Sequence, residues 1–129
     1  MTKSAALQAF FESFGIKAYP ASSVPDDTEF PWLTYDPILS TWDGDEASIT
    51  VNLWYRTESE KTPNDKAEEI SEAIGMGGKI IPCDGGAIWI KRGSPFCQSL
   101  SDEADDIIKR RYIQLTAAFF TINCLEDNK

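Results

Sequence analysis

The chain has 129 residues, 42% hydrophobic and 26% charged, the size and balance of one globular domain that needs neither a metal nor a disulfide to close its core. Its 12 basic and 21 acidic residues give a formal net charge of −9, which disfavours binding to phosphate backbones, because that affinity rests on Lys and Arg displacing counterions. The chain contains no histidine, which removes Ser-His-Asp triads, Cys-His pairs and imidazole-metal sites together.

Residues 3–14 predict an amphipathic helix. Leu7, Phe10, Phe11 and Phe14 fall on one stripe, Thr2 or Ser4 suits its start, and Gly15 suits its end. Three phenylalanines on one stripe read as a core face packed on a sheet. Residues 18–31, with Pro20, Pro25 and Pro31, predict a loop. Trp32-Leu33-Thr34-Tyr35 reads as a short strand, and Pro31 and Pro37 around it point to a sheet edge. A turn-rich segment around Trp42 follows, over 38–46. Residues 47–57 alternate strictly, with Ile49, Val51, Leu53 and Tyr55 on one side and Ser48, Thr50, Asn52 and Trp54 on the other. That is a strand with a core face and a mostly polar face carrying one large aromatic.

A second helix is predicted over 63–75, capped by Thr62 and opened by Pro63. Ala67, Ile70 and Ile74 form its apolar stripe, Glu68, Glu69 and Glu72 face away, and Gly75, Gly77 and Gly78 stop it. Residues 79–82 and 87–92 predict a hairpin about Cys83-Asp84-Gly85-Gly86, and 93–106 a long polar connection around Pro95. Residues 101–123 then run from an acidic loop into a final strand, 107–123, and 125–129 read as a tail. As one strand, 107–123 would be roughly 55 Å long at ~3.3 Å per residue, against a typical ~17–20 Å. A strand of that length calls for a neighbour beyond its own sheet. The element order predicts a single α+β domain over 1–129, a mainly antiparallel sheet with two helices packed on one face.

The candidate chemistry is sparse. Asp43 with Asp45 and Asp105 with Asp106 are the pairs that an acid–base hydrolase would need, but both sit in turn segments where solvated acids are ordinary. Met76-Gly77-Gly78-Lys79 follows a helix instead of opening one and lacks phosphate-loop spacing. Cys83, Cys97 and Cys124 are scattered and read as reduced structural thiols. No enzyme, cofactor or metal is expected. No apolar run approaches the ~20 residues of a membrane span. The opening residues are amphipathic and lack a signal core, so synthesis into the cytoplasm is expected.

Charge is unevenly spread. No basic residue lies between Lys17 and Arg56, while that interval holds seven acids: Asp26, Asp27, Glu29, Asp36, Asp43, Asp45 and Glu46. They read either as an ordinary solvated surface or as an acidic wall that DNA passes without sticking. Lys109-Arg110-Arg111 is the only basic cluster, beside Asp102, Glu103, Asp105 and Asp106. It is expected to neutralise acid across that loop or on a neighbouring subunit.

The helix with Phe10-Phe11, the phrases Ala18-Tyr19-Pro20 and Val24-Pro25, and Phe30-Pro31-Trp32-Leu33-Thr34-Tyr35 resemble the opening of small tail proteins of long-tailed phages and prophages of Gram-positive bacteria. The strand Ile49-Thr50-Val51-Asn52-Leu53-Trp54-Tyr55 and the segment Ile107-Ile108-Lys109-Arg110-Arg111-Tyr112-Ile113 fit the same pattern, so the resemblance spans about residues 4–123. The family is the tail terminator, also described as a tail completion, minor tail or head–tail joining protein. The resemblance implies a non-enzymatic α+β subunit of the virion. Such subunits form a ring, commonly a hexamer, that ends tail-tube polymerisation, meets the head connector and lets DNA cross its lumen. It carries no catalytic residues to transfer. Trp42, Trp54, Lys109, Arg110, Arg111 and Tyr112 are the interface candidates, as aromatics and cations in excess of what one small core uses. A small acidic inhibitor, mimicking DNA toward a basic host enzyme, is the competing expectation.

Overall fold

The computed structural model describes residues 2–37, 46–101 and 107–121. The phenylalanine stripe becomes helix α1 (Lys3–Glu12), and Thr2 caps it by accepting the Ala5 N–H at 3.1 Å. Phe11 stacks on Tyr35 at 4.7 Å between ring centroids, and Phe10 meets Phe11 and Phe14 edge-on at 5.2 and 5.3 Å. Gln8 ties the helix to the sheet: it donates to the Ala18 carbonyl at 2.8 Å and accepts from the Tyr35 hydroxyl.

Among the described residues the sheet has six strands, in the order β1-β2-β3-β6-β5-β4. These are β1 (Lys17–Pro20), β2 (Trp32–Pro37), β3 (Glu46–Arg56), β4 (Lys79–Cys83), β5 (Gly86–Ser101) and β6 (Ile108–Thr121). Only β1 and β2 run parallel; every other pair is antiparallel. With helix α2 (Lys61–Ile74), this is the expected α+β fold. Helix α2 packs across β3, β6 and β5, while α1 touches both edge strands, β1 and β4. Inward residues of the sheet, among them Leu33, Val51, Leu53, Ile113, Ile88 and Ile90, join Leu7, Phe11 and Ile70 in one core. Each fully buried aliphatic side chain there contributes about 1.5–3 kcal/mol.

Four local expectations are corrected. Strand β2 is not an edge, because β1 pairs along it from Lys17↔Trp32 to Pro20↔Tyr35. β1 was hidden inside the expected loop, since four residues ending in proline show no usable alternation. Helix α2 begins at Lys61 with Glu60 in the cap position, so Thr62 is not the cap. Pro63 then sits third, still in the first turn, where its missing N–H is not needed. The Glu60 carboxylate makes no capping bond because it is engaged elsewhere, as described below.

The third correction concerns β5. The expected polar connection after residue 92 is instead more strand, through Ser101. A bulge between Arg92 and Cys97 sets five residue steps in β5 against two in β6, from Leu115 to Ile113. Gly93 lies there against the β6 backbone, where a Cβ would come within 2.7 Å of the Gln114 carbonyl oxygen. The odd step count shifts the inward positions from Ile88 and Ile90 to Cys97, so alternation read along the chain fails at this point.

Finally, β6 is continuous from 108 to 121 and bonded on both sides, to β3 from Arg56↔Ile108 to Glu46↔Ala118 and to β5 over most of its length. Its great length is matched by two long partners inside the chain. It is the centre of the sheet, not an arm reaching toward a neighbour. Trp42, Asp43, Asp45, the run Asp102–Asp106, residues 122 and 123, Cys124 and the tail at 125–129 lie outside the described residues.

Candidate functional site

Both helices lie on one face of the sheet. Among the described residues the other face carries no helix, and the pairing register shows what stands on it. One row across the strands reads Lys17, Trp32, Trp54, Arg110 and Leu100. The next reads Tyr19, Thr34, Asn52, Tyr112 and Gln98. Trp32 and Trp54, directly opposed on β2 and β3, stack with centroids 5.1 Å apart and planes 12° from parallel. The Arg110 guanidinium carbon lies 5.2 Å from the Trp54 ring centre, and Phe30 flanks Trp32 at 6.1 Å. Rings and cations in this arrangement contribute about 0.5–2 kcal/mol per contact.

The same face continues to the β4 edge, where Ile80 pairs with Trp89, Trp89 with Ala118, and Ala87 with Phe120. Ile80 is 66% exposed and Phe120 50%, and Met76 in the preceding loop is 97% exposed. That loop is fastened to the face: Trp89 Nε1 donates to the Gly77 carbonyl at 2.9 Å. Gly78 has φ +87°, and a Cβ on it would stand 2.5 Å from Trp89 Nε1, so glycine is required there.

Four buried side-chain atoms have no hydrogen-bond partner among the described residues: Trp32 Nε1, Trp54 Nε1, Arg110 Nε and Asn52 Oδ1. All four belong to the two aromatic rows of the helix-free face. Buried polar groups are normally paired, and leaving one unpaired costs about 1–3 kcal/mol. Their concentration here marks the face as the unusual part of the molecule.

Of the expected interface residues, the fold brings Trp54, Arg110 and Tyr112 together on this face. Lys109 and Arg111 point the other way, because neighbours on a strand alternate sides. Arg111 is 1% exposed. Its Nη2 donates to Glu60 Oε2 at 2.6 Å and its Nε to Asn64 Oδ1 at 2.8 Å, with Nη1 donating to the Arg110 carbonyl at 3.3 Å. Lys109 Nζ stands 3.6 Å from Glu60 Oε1. The basic triplet is therefore split by the pleat. For Arg111 the expected partner, acid on the preceding loop or on a neighbour, is replaced by Glu60 at the start of α2 in the same chain. The hydrogen bond from Arg111, followed by the charges of Arg111 and Lys109, holds the Glu60 carboxyl below its ordinary range despite partial desolvation.

Trp32, Trp89, Ile80 and Phe120 escaped sequence reasoning, because cross-strand neighbours cannot be read along one strand. The alternation at Trp54 was the one usable signal. Elsewhere the chemistry is quiet. Burial pushes the Cys83 and Cys97 thiols up, away from the reactive thiolate. A hollow of about 220 Å³ beside Leu7, Pro20 and Tyr35 is lined by a single carboxylate, Asp36. Among the described residues, no cluster of three or more Cys, Asp or Glu is placed to hold a metal ion, and no helix is long and apolar enough to cross a membrane. The acids of the 17–56 interval that are described divide between the loop after β1 (Asp26, Asp27, Glu29), β2 (Asp36) and the first residue of β3 (Glu46). No protein-family model matches the chain, and no curated protein matches its sequence.

Proposed function

We propose that the protein is a non-enzymatic virion subunit, a tail terminator that assembles into a ring at the head-proximal end of a phage tail. The ring, a hexamer by family resemblance, stops polymerisation of the tail tube and offers a surface to the head connector. The observation that carries this reading is the helix-free sheet face, with its Trp32–Trp54 stack, the Arg110 cation and the unpaired polar atoms that these residues and Asn52 carry. Aromatics and arginine concentrated on a surface are the composition of interface anchors. The resemblance of residues 4–123 supplies the identity of the assembly, and the net charge of −9 suits a lumen that DNA crosses without adhering.

The test joins assembly to function. Purified protein examined by negative-stain electron microscopy is expected to form closed rings, and added to polymerising tail-tube protein it is expected to arrest growth at one end. A strictly monomeric protein that neither arrests tubes nor binds a connector protein overturns the reading. Salt-sensitive binding to a host nuclease or polymerase by that monomer would put the acidic inhibitor in its place.

A further inference from the structure

We infer that the helix-free face of one subunit receives the outward face of α2 from a second copy, in a head-to-tail contact held by complementary charge. The inference rests on the ring reading above and names the two surfaces that make its contact. By register, Lys17, Arg56, Lys91 and Arg110 all belong to the helix-free face, and the acidic positions on it are Asp36 and Glu46. Four bases against two acids is an inversion of the whole chain, with its 12 bases and 21 acids. A basic face on so acidic a protein is complementary to the protein's own remaining surface.

Helix α2 is the matching surface. Its outward side carries Asp65, Glu68, Glu69 and Glu72, all exposed. Lys61 pairs with Asp65 and Lys66 with Glu69 within the helix, which leaves Glu68 and Glu72, one turn apart, as the carboxylates turned to solvent. Arg110 shares a row of that face with Trp32 and Trp54, and carboxylates are strong partners for a guanidinium. Because α2 and the helix-free face lie on opposite sides of the sheet, the contact joins two different patches. Each subunit then offers one patch forward and the other behind, the arrangement that closes into rings.

A single-stranded nucleic acid is the other occupant for a basic, aromatic sheet face. The net charge opposes it: a polyanion approaching the face would meet the repulsion of the surrounding acids within the ~8 Å reach of charge at physiological salt. A second copy brings a few carboxylates at fixed positions instead.

The experiment is sedimentation velocity on the full chain across concentration, at low and high salt, with circular dichroism melts to establish folding. Lys17→Glu and Arg110→Glu reverse one surface; Glu68→Lys with Glu72→Lys reverses the other. Each reversal is expected to weaken self-association by roughly tenfold or more, equivalent to about 1.4 kcal/mol. A chain carrying Lys17→Glu together with Glu72→Lys is expected to regain association. Lys17 is exposed on the short edge strand, so that variant keeps the test interpretable where Arg110→Glu disturbs the stack. Rings that form equally well in both reversals, or reversals without rescue, overturn the inference and leave the ring reading standing. A wild-type monomer at every concentration overturns both, and so does tight binding of a single-stranded oligonucleotide by that monomer.

Discussion

On the helix-covered face of the sheet, Leu33, Val51, Leu53, Ile90 and Ile113 are closed to solvent; on the opposite face Trp32, Asn52, Trp54, Arg110 and Tyr112 remain half-buried. Both sets come from the same strands at alternate positions, so the difference reflects the choice of residues and not the backbone. One face is satisfied inside the chain, including its buried arginine, Arg111, which has Glu60 and Asn64 as partners. The other keeps stacked rings and unpaired N–H donors. A sheet face meant only for water would carry neither. The first face holds the chain together, and the second is the surface we propose for association.

The contrast breaks most visibly in the core. Phe11→Ala removes a fully buried ring stacked on Tyr35 and is expected to cost about 3–5 kcal/mol. Urea denaturation at concentrations too low for assembly would read this as a lower midpoint with an unchanged slope. If Phe11→Ala leaves the midpoint in place, the helix-covered face is not the stability core.

The buried cation sharpens the comparison next. Glu60→Ala leaves the Arg111 guanidinium buried without its carboxylate, whereas Arg111→Met fills the site with an apolar chain of similar length. Thermal melts are expected to show Glu60→Ala as the more destabilised of the two. The reverse order would mean that Arg111 is held by Asn64 and backbone alone. Lys109→Glu belongs with this pair: it sets a second carboxylate against Glu60, so its expected effect is on folding and not on association.

On the helix-free face the balance inverts. Trp54→Ala gives up one stacked pair and one cation contact, about 1 kcal/mol of subunit stability, yet is expected to abolish self-association in sedimentation experiments. A Trp54→Ala protein that assembles normally removes the aromatic row from the interface.

The smallest effect is on pH. The Glu60 carboxyl lies below its ordinary 4.5 in the folded chain, so below that value the unfolded chain takes up its proton first. Its stabilisation is complete above pH ~4.5 and is lost as pH falls through the lowered value. Glu60→Gln is expected to flatten that part of the acid limb in a stability-against-pH series, and an unchanged limb would place the acid sensitivity elsewhere.

Local periodicity made both helices and the β3 core face legible, because Leu7, Phe10 and Phe11, or Ile49, Val51 and Leu53, declare a buried side within one element. What escaped was pairing between elements. β1 is too short to alternate, and β2 is inner only because β1 covers it. The bulge at Gly93-Ser94-Pro95 resets the alternation of β5, so its second half looked like a connection. Lys109-Arg110-Arg111 reads as one cluster along the chain, and the pleat divides it between two faces. The site was half legible for the same reason: Trp54 stood out within its strand, while Trp32, Trp89 and Phe120 acquire meaning only beside their cross-strand neighbours.

Three of the four tryptophans, Trp32, Trp54 and Trp89, stand on the helix-free face, which makes their fluorescence a direct reporter of the central claim. Acrylamide quenching of a Trp42→Phe variant, followed as the protein is concentrated through its assembly transition, isolates these three rings. Quenching that falls as assemblies appear is the predicted result. Assemblies that form while quenching stays at its dilute value would contradict the account, because the subunits would then be meeting through some other surface.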